Sequence, residues 1–171
     1  VAAGVRDIFE LDKAGHGGTL DPDVTGVLPV ALSNATKTIG LLHEAGKEYV
    51  TVMRLHGDKD EEDIRAACQA QVGTVTQMPP EQAAVKREER DREIYEIDVL
   101  EVKGRDVLFR VACEGGTYIR VLCEAIGDEL GCGAHMHELR RTKSGRFTED
   151  EAFSLHDVLD AYHFWQEEGD E

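Results

Sequence analysis

One loop combines a carboxylate with residues that restrict the backbone on both sides of it. Residues 15–30 read GHGGTLDPDVTGVLPV, in which Asp21 directly precedes Pro22. Each proline fixes its own φ and biases the preceding residue away from helix, while the glycines admit left-handed or cramped conformations. A carboxylate held on such a loop is a candidate nucleophile or general base. The alternative is an Asx-turn, in which Asp21 only caps its own loop.

A cation near the start of a predicted helix is the second candidate. Two glycines and Thr117 precede a helix predicted over residues 118–130, and Arg120 lies in its first turn. A cation in that position opposes the helix dipole, so Arg120 requires compensation, most simply from a carboxylate. Tyr49, near the start of a predicted strand, is the third candidate. Each of these two residues also has a purely structural interpretation. Arg120 can be an ordinary surface ion-pair residue, and Tyr49 can be an ordinary strand aromatic.

The cysteines and histidines do not predict a metal site. Cys132, His135 and His137 are close in sequence, but tetrahedral zinc requires a fourth ligand that is not evident. The four cysteines contain no CxxC pair, and no leader-like segment opens the chain, which favours a reduced, cytoplasmic protein. No apolar run approaches the roughly 20 residues of a membrane helix, so we expect no membrane association.

The overall charge limits how an anionic partner can bind. With 35 acidic and 19 basic residues the chain has a net charge of −16, which by itself opposes nucleic acid. Halophilic proteins tolerate such surfaces because molar salt reduces the Debye length to about 3 Å. The one concentrated basic patch lies between residues 140 and 146, and we interpret its cations as candidate phosphate contacts. They are Arg140, Arg141, Lys143 and Arg146.

Short helices and strands must position these candidates. Apolar residues at helical spacing predict helices over residues 1–11, 33–43, 61–72, 118–130 and 155–165. Alternating patterns predict strands over residues 47–55, 94–102 and 107–113. The first of these strands is expected to be covered on both faces. Because several strands are joined as hairpins, the sequence indicates a single α+β domain.

Three stretches together resemble the dyskerin and TruB family of pseudouridine synthases. They read GHGGTLDPDVTGVLP, KEYVTVMRLHG and FRVACEGGTYIRVLCEAIGDELG, and the resemblance runs from about Gly4 to Trp165. The last stretch, followed by MHELRRTKSG, is closer to the archaeal and eukaryotic dyskerin branch than to bacterial TruB. An archaeal member from a halophile would also account for the charge. The resemblance implies an α+β catalytic fold, with a mixed, largely antiparallel sheet flanked by helices.

The resemblance also implies roles for the residues that match the family's motifs. Asp21 matches the catalytic aspartate, Tyr49 the tyrosine that stacks on the flipped uridine, and Arg120 the arginine that pairs with the aspartate. The other matches are substrate-pocket residues: the apolar positions Tyr118 and Leu139, and the loop histidine His16 near the target nucleotide.

The chemistry of these residue types agrees with those roles. Isomerising uridine requires breaking the N1–C1′ bond, rotating the base and rejoining it through C5. A carboxylate can attack or stabilise an electron-poor sugar carbon, and an adjacent guanidinium favours its ionised form. The target base must leave its stack, so an aromatic platform is required. Whether Asp21 attacks C1′, attacks C6 or abstracts a proton stays open at this point.

The resemblance finally implies an assembly. Besides the RNA substrate, the expected partners are an H/ACA guide RNA and small RNP proteins. We expect residues 1–171 to form part of a single catalytic domain, without the upstream Lys-Pro segment and the C-terminal PUA domain of the family. Two alternatives remain open: a stand-alone tRNA enzyme, and a catalytically idle RNP scaffold.

Overall fold

A computed structural model of the chain describes residues 1–80 and 86–169. The α-helices are α1 (Ala2–Ile8), α2 (Ile39–Glu44), α3 (Glu61–Ala70), α4 (Ile119–Glu129) and α5 (Leu155–Glu168). The strands are β1 (Ala14–His16), β2 (Thr25–Gly26), β3 (Val30–Leu32), β4 (Lys47–Leu55), β5 (Gly73–Gln77), β6 (Arg90–Lys103), β7 (Asp106–Cys113), β8 (Ala134–Ser144) and β9 (Phe147–Thr148). Short 3-10 turns cover Ser33–Thr38 and Glu149–Glu151.

One large sheet dominates the structure. Its strands lie in the order β2-β8-β4-β7-β6-β5, with β9 added beside β8, while β1 and β3 form a separate two-stranded sheet. Neighbouring strands run antiparallel except for β2, which runs parallel to β8. The predicted mixed, largely antiparallel sheet with flanking helices is therefore confirmed. Within the two described ranges, no helix has the length and apolar character needed to cross a membrane.

The core lies between one face of this sheet and helices α3 and α4. Alternate residues of β4 and β7, such as Met53, Phe109 and Val111, are fully buried against apolar residues of α4 such as Leu122 and Ile126. Both helices have the predicted spacing of apolar residues, so each turns one stripe toward the sheet. This packing fixes α4 against the sheet, and with it the first turn of the helix.

The other face of β4 does not have the predicted cover. Its alternate residues are only half-buried, and the neighbouring strand contributes Arg110, whose guanidinium contacts Glu48 at 3.0 Å as well as Glu96 and Asp98. The expectation that β4 is covered on both faces is wrong. Antiparallel sheets commonly bury one face and solvate the other, and the charged side chains on β4 and β7 occupy the solvated face.

Candidate active site

The loop of residues 17–24 presents Asp21 on an anchored turn. The Gly17 amide donates to the Pro29 carbonyl at 2.9 Å, and Gly18 adopts a φ of 123°, which favours glycine. The Val24 amide closes the turn on the backbone carbonyl of Asp21 at 2.9 Å. The backbone of Asp21 closes this turn, while its carboxylate points toward Arg120.

Asp21 and Arg120 meet across the gap between the loop and helix α4. Arg120 Nη2 lies 3.5 Å from Asp21 Oδ2, with the side chains 41% and 64% exposed. The compensation that the helix dipole required is therefore present, and it comes from the candidate catalytic carboxylate. Both groups are therefore partly open to solvent.

Tyr49 lies beside this pair at the end of the buried face of β4. It packs against the core and lies opposite Arg141 of β8, and the charge of Asp21 is one of the causes that raise the pKa of its phenol. Burial is the main cause that raises the pKa of the Tyr49 phenol, so the ring stays neutral over the physiological range. A neutral aromatic ring at the edge of a carboxylate site is the type of group that a flipped base can stack on.

Arg141 is not a surface cation, so its interpretation as a phosphate contact is corrected. Its side chain is 2% exposed; Nε donates to the Val27 carbonyl at 2.8 Å and Nη2 to the Gly18 carbonyl at 3.2 Å. The physical reason is strand register: Arg141 lies opposite Tyr49, on the inward face of β8, whereas Arg140 points outward. Arg141 therefore binds the backbone on both sides of Asp21.

Three cations of the predicted patch remain exposed. Arg140 donates through Nε to Glu149 Oε2 at 2.7 Å, Lys143 is exposed, and the Arg146 guanidinium lies 5.8 Å from the centre of the Phe147 ring. Glu149 partly neutralises Arg140, which leaves the patch weaker than its sequence indicates. A phosphate contact stays a prediction for these three residues.

The three remaining pocket candidates have different surroundings. His16, in β1, is half-buried, and its Nδ1 is buried with no hydrogen-bond partner among the described residues. Leu139 lies opposite Thr51 in the neighbouring strand and packs against the core. Tyr118 directly precedes α4, where its backbone is held by the side chain of Gln77. Their contacts with a nucleotide stay predictions.

Sequence reasoning missed two buried polar residues that support the site. Lys47 is 6% exposed, and its Nζ donates to the carbonyls of Leu42 at 2.9 Å and Ala45 at 2.5 Å, so it caps the end of α2. Gln77 is 4% exposed. In the sequence, such a residue can be recognised as a polar residue at an inward position of an alternating strand. This pattern is visible for Lys47. It is not visible for Gln77, because the strand that contains Gln77 was not predicted.

The cysteine and histidine cluster does not form a ligand set. His135 Nδ1 lies 2.8 Å from His56 Nε2, which is a hydrogen-bond distance. Across residues 1–80 and 86–169, no three side chains of metal-ligating type converge on one point.

The chain matches two family models over nearly its whole length. Residues 6–119 match the TruB family pseudouridylate synthase N-terminal domain, and residues 120–171 match the tRNA pseudouridylate synthase B C-terminal domain. The two segments share one sheet in the structure, since β8 of the second lies between β2 and β4 of the first.

Relatives and solved structures agree with these matches. The chain is 62% identical over 169 residues to a "Probable tRNA pseudouridine synthase B" of Methanopyrus kandleri, covering 99% of the chain and 50% of the relative. It is 60% identical to the protein of the same name in Methanocaldococcus jannaschii, covering 100% and 51%. The chain therefore spans about half the length of the curated relatives it matches.

Two solved structures superpose closely. One, titled "Crystal Structure of a Cbf5-Nop10-Gar1 Complex", has a TM-score of 0.94 and 56% identity, covering 99% of this chain and 52% of that chain. The other, titled "Structure of H/ACA RNP bound to a substrate RNA containing 2'-deoxyuridine", has a TM-score of 0.88 and 53% identity, covering 99% and 50%. Together with the match over residues 6–119, these findings show that the chain belongs to the TruB family of pseudouridylate synthases.

Proposed function

We propose that the protein isomerises uridine to pseudouridine in RNA, as the catalytic subunit of an H/ACA guide ribonucleoprotein. One observation carries the proposal: the Asp21 carboxylate lies 3.5 Å from the Arg120 guanidinium. Family membership and the similarity to an H/ACA RNP bound to a substrate RNA support the reaction and the assembly.

In the proposed reaction, Asp21 reacts with the target nucleotide. The Arg120 guanidinium stabilises the ionised form of the Asp21 carboxylate. Tyr49 stacks on the uracil ring after the base has left the RNA helix. The N1–C1′ bond breaks, the uracil turns, and a C5–C1′ bond forms, while the proton on C5 moves to solvent and N1 gains one. The substrate and the product contain the same atoms, and neither oxidation nor hydrolysis occurs, so the reaction requires no cofactor.

RNA binding in the proposal depends on position as much as on charge. The exposed cations Arg140 and Lys143 lie in β8, which pairs through Arg140 with Thr25 of β2, and Arg146 lies in the β8–β9 turn. They would contact phosphates flanking the target uridine, while a guide RNA supplies the sequence information. The proposed partners are the guide RNA and the small RNP proteins.

The proposal extends to the catalytic unit, the cellular environment and the salt conditions of the protein. Residues 1–171 act as one catalytic unit, because both matched segments share a sheet. The protein works in a reducing, cytoplasmic environment, in keeping with the free thiols of Cys68, Cys113, Cys123 and Cys132. It is adapted to high salt, which is supported by the net charge of −16.

A stand-alone tRNA enzyme is the second candidate, favoured by the names of the archaeal relatives. The test is conversion of uridine to pseudouridine in tRNA and in a guide-matched rRNA fragment, each with and without guide RNA and partner proteins. Conversion of the rRNA fragment only with the guide supports the proposal. Equal conversion of tRNA without guide supports the second candidate, and no conversion of either RNA indicates a scaffold.

A further inference from the structure

Gln77 makes two hydrogen bonds with Tyr118, the residue directly before helix α4. Its side-chain Nε2 donates to the Tyr118 carbonyl at 3.1 Å, and its Oε1 accepts from the Tyr118 amide at 2.9 Å. Gln77 is the last residue of β5 and is 4% exposed, so these bonds lie out of competition with bulk water. Both bonds engage the backbone of one residue, which fixes its position and its direction.

Tyr118 is where the chain changes from an extended path to helix. It has φ −97° and ψ 106°, serves as the N-cap residue of α4, and its side chain makes no cap hydrogen bond. An extended residue at a helix start has a backbone amide that the helix itself does not pair. Gln77 supplies a partner for this amide from the end of β5, and so restrains the residue from which α4 begins.

Two residues connect the position of the Tyr118 backbone to the candidate active site. The Tyr118 side chain projects from the held residue itself, and Arg120 lies two residues further on, in the first turn of α4. The next buried residue of the helix, Ile119, anchors this turn to the core. A shift of the Tyr118 backbone would therefore tilt the first turn and change the 3.5 Å separation of Arg120 and Asp21.

We propose that Gln77 is a positioning residue for the isomerisation, holding Tyr118 and thereby Arg120 in register with Asp21; this inference rests on the proposed function. Only an amide side chain supplies one donor and one acceptor in the required fork at neutral pH. Gln77 touches neither substrate nor reacting atoms. Its effect is on the rate of the chemical step rather than on RNA affinity.

The test uses the full-length protein assembled with guide RNA and partner proteins, and compares wild type with Gln77→Glu and Gln77→Leu. Ionised glutamate keeps the acceptor, loses the donor and places a charge against the Tyr118 carbonyl. A protonated carboxyl group restores one donor and one acceptor. Thr76→Val is the matched control, because it removes an exposed bond from Thr76 to Asp91 on the adjacent position of β5.

The single-turnover rate at saturating RNA should fall roughly 10- to 100-fold in Gln77→Glu at pH 8, as expected for a misplaced catalytic group. RNA affinity should stay within about twofold of wild type, and the rate ratio should recover as the pH falls and the carboxyl group is protonated. Gln77→Leu should be slow without that recovery, and Thr76→Val should match wild type. Circular dichroism at each pH verifies folding; if Gln77→Leu does not fold, the Gln77→Glu pH series is sufficient.

Two results would overturn the inference while leaving the proposed function intact. One is a Gln77→Glu rate equal to wild type at pH 8. The other is a loss of RNA affinity as large as the loss of rate, with no recovery at lower pH. A wild-type assembly without any pseudouridine formation overturns the proposed function instead, and this inference with it.

Discussion

Arg141 supports the site although it lies out of reach of substrate. Its guanidinium donates to the Gly18 and Val27 carbonyls, and Arg141 lies opposite Tyr49 in the pairing of β8 with β4, so one buried cation connects the backbone on both sides of Asp21 to the strand beside Tyr49. Such a group contributes through position, because the two backbone carbonyls are held at fixed places around it. Removing it would leave buried acceptors without donors.

Arg141→Ala should lower the free energy of unfolding by about 2–5 kcal/mol, from unsatisfied carbonyls and the cavity that remains. Arg140→Ala is the matched control on the outward face of the same strand and should change stability by less than about 0.5 kcal/mol. Denaturant unfolding of the two variants measures the difference. Arg141→Ala with normal stability but reduced RNA affinity would restore the phosphate-contact interpretation.

Two substitutions of Tyr49 distinguish the contribution of its ring to substrate binding from the contribution of its hydroxyl. Tyr49→Phe should bind substrate as wild type does, since the stacking face survives. Tyr49→Ala should weaken binding of the target nucleotide by about 1–3 kcal/mol. Binding is measured with an RNA whose target uridine is present or replaced by an abasic site. If Tyr49→Ala binds both RNAs as wild type does, Tyr49 is a core aromatic only.

Residue types indicated that Asp21 and Arg120 would pair, but not the direction in which each side chain of the candidate site points. Asp21 and Arg120 were identified from loop chemistry, the helix dipole and family resemblance, and the structure brings them together. Arg140 and Arg141 are the same residue type at adjacent positions, and only the register of β8 against β4 distinguishes them. Register is a tertiary property, because it depends on which strand lies alongside.

At the scale of elements, helix α4 approaches the start of β8 very closely. A Cβ added to Gly127 would lie 2.2 Å from the Ala134 amide nitrogen, so this contact requires glycine. Gly127→Ala should therefore reduce stability by about 1–3 kcal/mol. Gly40, in α2, is the control, since an added Cβ there meets nothing within 4 Å, and Gly40→Ala should stabilise by up to about 1 kcal/mol.

Thermal unfolding of the two glycine variants compares their stabilities directly. Equal stability of Gly127→Ala and wild type would show that α4 can move away from β8. In that case helix packing would not fix the position of Arg120, and the packing of α4 would not explain why Arg120 lies beside Asp21.

The elements that sequence patterns located are those with a clear apolar period. Strands β4 and β7 and helices α3 and α4 were predicted within a few residues of their observed bounds. Strands β5 and β8 were not predicted, because β5 is short and threonine-rich and β8 is dominated by charged residues. Both strands are defined by pairing with distant partners, which propensity does not report.

At the scale of the whole molecule, the acidic surface sets the conditions for folding and binding. Several exposed cations are already paired, including Arg54 with Asp106, Arg65 with Glu61 and Arg105 with Asp58, yet 35 acidic residues exceed 19 basic ones. Exposed pairs contribute about 0–1 kcal/mol each and are screened by salt. The excess negative charge therefore dominates the electrostatics of the fold.

Folding should improve as KCl rises from low to molar concentration, because screening relieves self-repulsion. RNA binding should weaken over the same range as counterion release loses its advantage. The two trends should produce an activity optimum well above physiological salt. Circular dichroism and RNA binding on the same samples test this. A protein fully folded at low salt, with affinity falling steadily from there, would contradict adaptation to high salt.

The most direct measurement of the central claim compares Asp21→Asn with Asp23→Asn in a tritium-release assay on RNA labelled at uridine C5. Both substitutions remove one exposed carboxylate from the same loop, but only Asp21 lies beside Arg120. We predict that Asp21→Asn keeps the fold, as judged by circular dichroism, and releases no tritium above background. Asp23→Asn should release it at the wild-type rate. Wild-type turnover by Asp21→Asn would contradict the assignment of Asp21 as the catalytic residue.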